Sequence, residues 1–442
     1  MSKTTKMKDN LYQLNGRVPV SSAIPFGLQH VLIMFVTNLT PIAIIASAAG
    51  LSQSETTAIL QNAMLIAGLA TLVQLYPIWK IGAGMPLVMG ISFKFVPVLY
   101  TIAECYGYGA VIGAILVGGI FEGILGLFAK YWRKVVSPVV AAAVVISIGF
   151  SLFAEGARSF GGGYEADFGS AQNLILGALT LVTCLVWSCL AKGYVKHLAI
   201  LAGLVVGYIA AIFMGKVDFS NVLSGSVVAL PQLLPYAPEF RLDAILSVSV
   251  IFLVSAAETI GDTSAMAVTG LDKEVEDKEI SGALACDGFL SSVAGLFGCT
   301  PVTTFSQNVA LIATSKVVNR FTIMIGAVCM ILAGFVPVVG NVFATIPDAV
   351  LGGCTIMMLG TIFALGIEML VKAGLNQRNV TILALSFAIG VGFTSASESA
   401  IWSIFPEIVC SVFATNVTAV VFVVAIILNL VLPKKMEMEH IW

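Results

Sequence analysis

The sequence predicts an all-α membrane protein of fourteen transmembrane segments in a seven-plus-seven inverted repeat, with short extended stretches opening the third and tenth segments. Three observations carry this. The 442 residues are 58% hydrophobic and only 10% charged, against roughly a quarter charged in a soluble domain. Basic residues alternate between the two sides of successive apolar runs. Two of the runs are short, begin at a proline and echo each other at corresponding places in the two halves.

A hydrocarbon core about 30 Å thick needs about 20 apolar residues per helix. Between polar or Gly/Pro breaks, such runs fall near 22–48, 55–76, 86–103, 108–129, 137–155, 172–191, 197–215, 243–268, 281–298, 301–314, 321–339, 348–371, 379–393 and 412–432. Too little chain is left over for a separate soluble domain. The polar tail, Met1 to Val20, precedes an apolar run too long for a cleaved signal peptide, so the first span is expected to stay in the mature protein.

Short cytoplasmic loops collect Lys and Arg. With the N-terminal tail inside, 18 of the 22 basic residues lie in cytoplasmic segments, while Arg158, Lys216 and Arg241 lie in outer loops and Lys94 falls within the third span. Adding or dropping one span would reverse the sign of every later loop. The count is therefore even and both termini are cytoplasmic. A formal net charge of −2 excludes a nucleic-acid partner, which needs clustered Lys and Arg. The eight cysteines are scattered with no C-x-x-C pair, and they read as small packing residues rather than a metal or redox centre.

A charge at the bilayer centre costs a few kcal/mol, so each ionisable residue inside a span needs a reason. Glu104, Glu155 and Glu368 lie near span ends and reach water, and Glu122 reads as a buried, hydrogen-bonded structural acid. Glu258 and Asp262 are four residues apart deep in the eighth span, and so share one helix face. Such a pair makes a proton or cation site, or an acceptor for a substrate N–H; the alternative is two acids satisfied by neighbouring backbone and hydroxyls. Asp287, beside Gly288 in the ninth span, is open to the same two readings. His30 follows Gln29 in the first span, with Asn38 and Thr40 beyond it, and reads as a structural donor.

The two weak spans run Pro86-Leu-Val-Met-Gly-Ile-Ser-Phe-Lys-Phe and Pro301-Val-Thr-Thr-Phe-Ser-Gln-Asn. Irregular backbone at membrane depth must be buried in protein or line a cavity, because lipid cannot satisfy its polar groups. A pair of interrupted spans in corresponding positions points to a binding site between the halves of an inverted repeat. Glu258, Gln307, freed backbone groups and the rings of Phe93 and Phe305 would meet there. That set suits a flat heterocycle, its faces packed by rings and its polar edge read by carboxylate and amide. Sulfate or phosphate fits poorly, with Lys94 alone at hand.

On these residues the chain resembles the nucleobase–ascorbate transporters, also called the nucleobase:cation symporter-2 family, over nearly its whole length. The family signature runs Gln, Glu or Pro, then Asn, any residue, Gly, four of any kind, Thr, and Arg, Lys or Gly. This chain reads Gln307-Asn308-Val309-Ala310-Leu311-Ile312-Ala313-Thr314-Ser315-Lys316, with Ala310 and Ser315 in place of the expected Gly and Thr. Gln29-His30, Ser92-Phe93, the Glu258-to-Asp262 stretch and Asp287 follow the family's order.

The resemblance implies a cytoplasmic tail (1–21), a core domain of spans 1–4 (22–129) and 8–11 (243–339), and a gate domain of spans 5–7 (130–242) and 12–14 with the C-terminal tail (340–442). It implies a homodimer in the bacterial inner membrane, working by elevator-type alternating access. By carry-over, Glu258 and Gln307 bond the base, backbone near Ser92, Phe93 and Ser306 completes the reading, and Phe93 and Phe305 close on the ring. Asp262 and Asp287 serve coupling or the architecture around the site, with Gln29, His30 and Asn308 in support. Gln at position 307 resembles the purine branch. Ala310 adds a methyl at a close approach, and Lys94 is expected to turn away from the site toward a carbonyl or polar crevice rather than pair with Glu258 or Asp287 or favour an anionic base such as urate.

The expected function is import of a purine base, xanthine or uric acid, by symport with H⁺ rather than Na⁺ and with no cofactor. The alternatives are a uracil or other nucleobase permease of the same family, or a sulfate-permease-like anion transporter. A membrane-embedded enzyme built on Glu258, Asp262 and Asp287 would need a His or Cys ligand beside them, and within the spans His30 is the one candidate.

Overall fold

The structure, a computed structural model, describes residues 10–132, 137–163, 166–220, 222, 228–396, 400–414 and 416–433. Lys3, Lys6, Lys8, Arg133, Lys134, Lys434 and Lys435 of the charge alternation lie outside the described residues, as does the side chain of Ala310.

The chain is mostly helical. Its first half runs α1 (Val20–Ala48), α2 (Gln53–Leu75), β1 (Met89–Ile91), α3 (Val96–Tyr106), α4 (Tyr108–Leu127), α5 (Pro138–Ser151), α6 (Phe153–Phe160), α7 (Ala171–Leu190) and α8 (Ala199–Phe213). The second half runs α9 (Leu242–Ala265), α10 (Asp277–Leu296), β2 (Val302–Thr304), α11 (Ser306–Ser315), α12 (Arg320–Gly334), α13 (Pro337–Ala344), α14 (Asp348–Ala373), α15 (Gln377–Ser395), α16 (Glu407–Phe413) and α17 (Val417–Val431). Among the described residues seven helices are long and apolar enough to cross a membrane, or eight if α12 and α13 are taken as one bent span.

The run expected as one span over 321–339 is broken. The chain turns by 79° between α12 and α13, because Pro337 has no N–H to continue the ladder and holds Val336 extended at φ −108°, ψ 97°.

The helices form two groups. In one, α4 packs on α9 and α10, and α12 on α1 and α2. In the other, α14 packs on α5, α6 and α7, α7 on α8, and α17 on α5 and α15.

The two proline-led stretches pair with each other as an antiparallel ribbon, Met89 opposite Thr304, Gly90 opposite Thr303 and Ile91 opposite Val302. A two-stranded ribbon leaves two free edges, and in a buried setting each edge N–H must find a partner. Side chains supply them all. Along β1, Thr71 Oγ1 accepts from Met89 N at 2.9 Å and Asn38 Oδ1 from Ile91 N at 2.6 Å. Along β2, Ser291 Oγ accepts from Val302 N at 3.1 Å and Asp287 Oδ2 from Thr304 N at 3.4 Å.

Asn38→Leu therefore strands a buried N–H, at about 1–3 kcal/mol. The expected result is lower abundance of intact protein in the membrane and a lower melting temperature in detergent; an unchanged melting temperature would contradict this account of the ribbon edge.

Candidate substrate site

Where the ribbon ends, two helices begin. β1 passes through a 3₁₀ turn, Phe93–Phe95, into α3, and β2 passes directly into α11. The first N–H groups of a helix have no intrahelical acceptor, so Ser306 and Gln307 present backbone donors as well as side chains. Ser92, Phe93, Lys94, Glu258, Phe305, Ser306 and Gln307 all line one cavity. These are the residues expected from sequence to bind or adjust to substrate, brought together from α9 and the two ribbon–helix joints. Gly90 makes room for one ring: a Cβ there would sit 2.9 Å from Phe305 and 2.8 Å from Met34 Cε.

Several lining residues carry no sequence signal. Val145 and Ile148 from α5, and Met358, Ile362 and Leu365 from α14, form an apolar wall facing the polar joints. The cavity thus lies between the two helix groups. One hydroxyl of a lining residue, Ser92 Oγ, is buried without a partner among the described residues.

Lys94 corrects an expectation. It does not turn away from the site; its Nζ lies 3.0 Å from Glu258 Oε2 and 3.3 Å from Ser255 Oγ, with both charged side chains largely buried. A buried ammonium needs an opposite charge and hydrogen-bond acceptors. Glu258 and Ser255, one turn apart on α9, supply both.

The other acids lie behind the cavity wall. Ser306 Oγ is 2.9 Å from both Glu258 Oε1 and Asp262 Oδ2, Thr304 Oγ1 is 3.2 Å from Asp262 Oδ2 and from Thr259 Oγ1, and Thr259 Oγ1 donates to Asp287 Oδ2. Three carboxyls and three hydroxyls thus form one continuous chain. Gln74 Nε2 approaches the far oxygen of Asp287 at 3.4 Å. Asp287 is fully buried and bonds the edge of β2, so it braces the ribbon as well as ending the hydroxyl chain.

The supporting residues are placed less directly. Asn308 Nδ2 donates to the His30 carbonyl at 3.4 Å. The expectation that the His30 ring is a structural donor finds no support: its buried Nδ1 has no partner among the described residues, and its backbone oxygen makes the contact. Gln29 is buried in the same helix. Neither Gln29 nor His30 lines the cavity.

Glu104 and Glu368 are exposed, and Glu155 lies 3.8 Å from Arg158, in keeping with span ends. Glu122 is buried as expected, but neither of its carboxyl oxygens has a hydrogen-bond partner among the described residues. All eight cysteines are free, four of them buried in the packing.

Among solved structures the fold is similar to the transmembrane domain of the cyanobacterial bicarbonate transporter BicA, with a TM-score of 0.62 at 16% identity over 90% of this chain and 97% of that one. It is also similar to SLC26A9, with a TM-score of 0.60 at 11% identity over 96% of this chain and 70% of that one. By sequence the chain is 35% identical to the uric acid permease PucK of Bacillus subtilis over 84% of this chain and 86% of that protein. It is 30% identical to the xanthine permease XanQ of Escherichia coli over 98% of this chain and 96% of that protein. Residues 21–399 match a family model described as a permease family. With the signature stretch at Gln307 and Asn308 in place, the chain belongs to that permease family, the nucleobase:cation symporter-2 transporters.

Proposed function

We propose that the protein imports a purine base, xanthine or uric acid, across the inner membrane of a bacterial cell by symport with protons. One observation carries the reading: a single cavity brings together the carboxylate of Glu258, the amide of Gln307 and the rings of Phe93 and Phe305. A planar base stacks between rings while the carboxylate accepts from its N–H and the amide both donates and accepts at its edge. The names of the relatives, a uric acid permease and xanthine permeases, support the same substrate class.

Proton coupling is supported by counting hydrogens. Five oxygen–oxygen contacts join Glu258, Ser306, Asp262, Thr304, Thr259 and Asp287 in series, and the three hydroxyls supply three hydrogens. With all three carboxyls ionised, two contacts lack a hydrogen. Two protons, one on Asp262 and one on Asp287, would fill both once the Thr259 hydroxyl turns from Asp287 to Thr304, and would leave Glu258 as the carboxylate opposite Lys94, balancing charge in a buried site.

The wider architecture is proposed with it. Fourteen spans arise if the short apolar helices and both ribbon–helix joints each count as a crossing, and the antiparallel ribbon is what an inverted repeat would place at its centre. The group holding α1–α4 and α9–α12 would be the core domain. It would slide in elevator fashion against the group holding α5–α8 and α14–α17, with both termini cytoplasmic and the protein working as a homodimer.

The test is uptake of labelled xanthine and urate by bacteria lacking their own purine permeases, with a panel of bases as competitors and with or without a proton ionophore. Gln307→Ala removes one partner of a buried hydrogen bond, about 1–3 kcal/mol, and is expected to weaken competition by xanthine roughly fivefold to 150-fold. Absence of uptake for every base tested would remove the purine reading, and indifference to the ionophore would remove proton coupling. An inorganic-anion carrier of the BicA kind is the second reading, given the shared fold. It is disfavoured because a small inorganic anion offers neither a flat face to the rings of Phe93 and Phe305 nor an N–H edge to Glu258 and Gln307, all of which line the cavity.

A further inference from the structure

Lys94 and Glu258 line the cavity together, 3.0 Å apart, with side-chain exposures of 7% and 18%. Asp262 and Asp287 do not line it. A ligand in the cavity therefore meets one carboxylate and one cation side by side. Ser255 and Glu258 engage two of the three N–H donors of the ammonium.

A neutral base can donate to a lone pair of Glu258 that Lys94 leaves open, but it offers the third N–H of the ammonium only an uncharged acceptor. A base that is itself an anion offers a charged one: its charged oxygen or nitrogen accepts from Lys94 while a neighbouring ring N–H donates to Glu258. Both buried charges then stay paired, and the bonds to the ligand are charge-assisted. Resting on the purine-permease reading, we propose that Lys94 and Glu258 act as a donor–acceptor couple that selects the monoanion of an oxidised purine, with urate preferred over neutral purines such as hypoxanthine.

The experiment compares competition by urate and by hypoxanthine against labelled urate and labelled xanthine uptake in cells producing the full-length protein. In the wild type urate competes more strongly. Lys94→Asn removes the charge and frees Glu258. A charge-assisted bond of the usual strength corresponds to roughly tenfold to 100-fold in affinity, so the urate-to-hypoxanthine preference is expected to fall by about that factor. Lys94→Arg is expected to keep the wild-type order. An unchanged preference in a Lys94→Asn protein that still takes up either base overturns the proposal while leaving purine transport standing. A wild-type protein that takes up no purine overturns the purine reading itself.

If Lys94→Asn does not reach the membrane, the wild type decides alone. Xanthine ionises near neutral pH and hypoxanthine only well above it, so the xanthine-to-hypoxanthine competition ratio should rise as the pH is raised through xanthine's ionisation. Taking the ratio cancels any shared proton dependence. A flat ratio overturns the proposal.

Discussion

Glu258→Gln is expected to lower xanthine and urate uptake at least about 100-fold, the largest loss of any single substitution in the cavity. The change keeps the shape of the side chain and removes its charge. It leaves Lys94 buried beside a neutral amide, and removing one partner of a buried ion pair costs about 3–5 kcal/mol. It also takes away the proposed acceptor for a base N–H and disturbs the Ser306 contact, 2.9 Å from Glu258 Oε1. Loss of uptake through misfolding is separated from loss of recognition by the double variant Lys94→Met with Glu258→Gln. Removing both charges should restore abundance in the membrane, since replacing a buried pair with groups of similar volume is often neutral, yet uptake should stay low. Initial rates normalised to membrane-inserted protein make the measurement. A Glu258→Gln protein retaining more than about a tenth of wild-type uptake would contradict both the ion-pair cost and the placement of Glu258 at the base.

Which parts of this site were legible beforehand follows from the range of the signals. Glu258 and Asp262 declare a shared helix face by their spacing, and Pro86 and Pro301 mark interrupted spans because proline restricts backbone locally. Those are short-range facts, and the structure keeps them. Lys94 was misread because its direction depends on Ser255 and Glu258, which approach from a helix more than 150 residues away in sequence. Nothing in the third span encodes that approach. Thr259 and Thr304 were missed for a related reason: hydroxyls inside apolar runs commonly bond their own helix backbone, and the link from Thr259 to Asp287 appears once α9 and α10 pack. The apolar wall from α5 and α14 is illegible in principle, since Ile148 or Met358 differs in no local respect from its lipid-facing neighbours. For Asp287, the bond to Thr304 N makes strand support part of its role, which the sequence left open.

The packing that fixes Asp287 makes the second large prediction, that Gly288→Val prevents the protein from accumulating in the membrane. α10 meets α4 along a seam of small residues spaced three and four apart, the helix face on which backbones approach closely. A Cβ at Gly288 would lie 2.1 Å from Gly123 N and 2.6 Å from Gly119 O, and one at Gly126 would lie 2.4 Å from Ala285 N. These obstacles are backbone atoms, which cannot rotate aside as a side chain can. The seam is also bonded, with Ser292 Oγ donating to Leu116 O at 2.9 Å and Ser281 Oγ to Gly126 O at 2.7 Å. Overpacking a core costs typically 1–3 kcal/mol and more where nothing can yield. Separating α10 from α4 would in addition carry Asp287 away from Thr259 and Thr304, opening the hydroxyl chain and the edge of β2. Gly288→Ala should therefore accumulate poorly and transport poorly per molecule inserted, and Gly288→Val should be nearly absent. Gly392→Ala is the matched control, because a Cβ there meets nothing within 4 Å, and its abundance and uptake should match the wild type. Normal accumulation of Gly288→Val would mean that α4 and α10 are not held in this register, and the placement of Asp287 behind the cavity would fall with it.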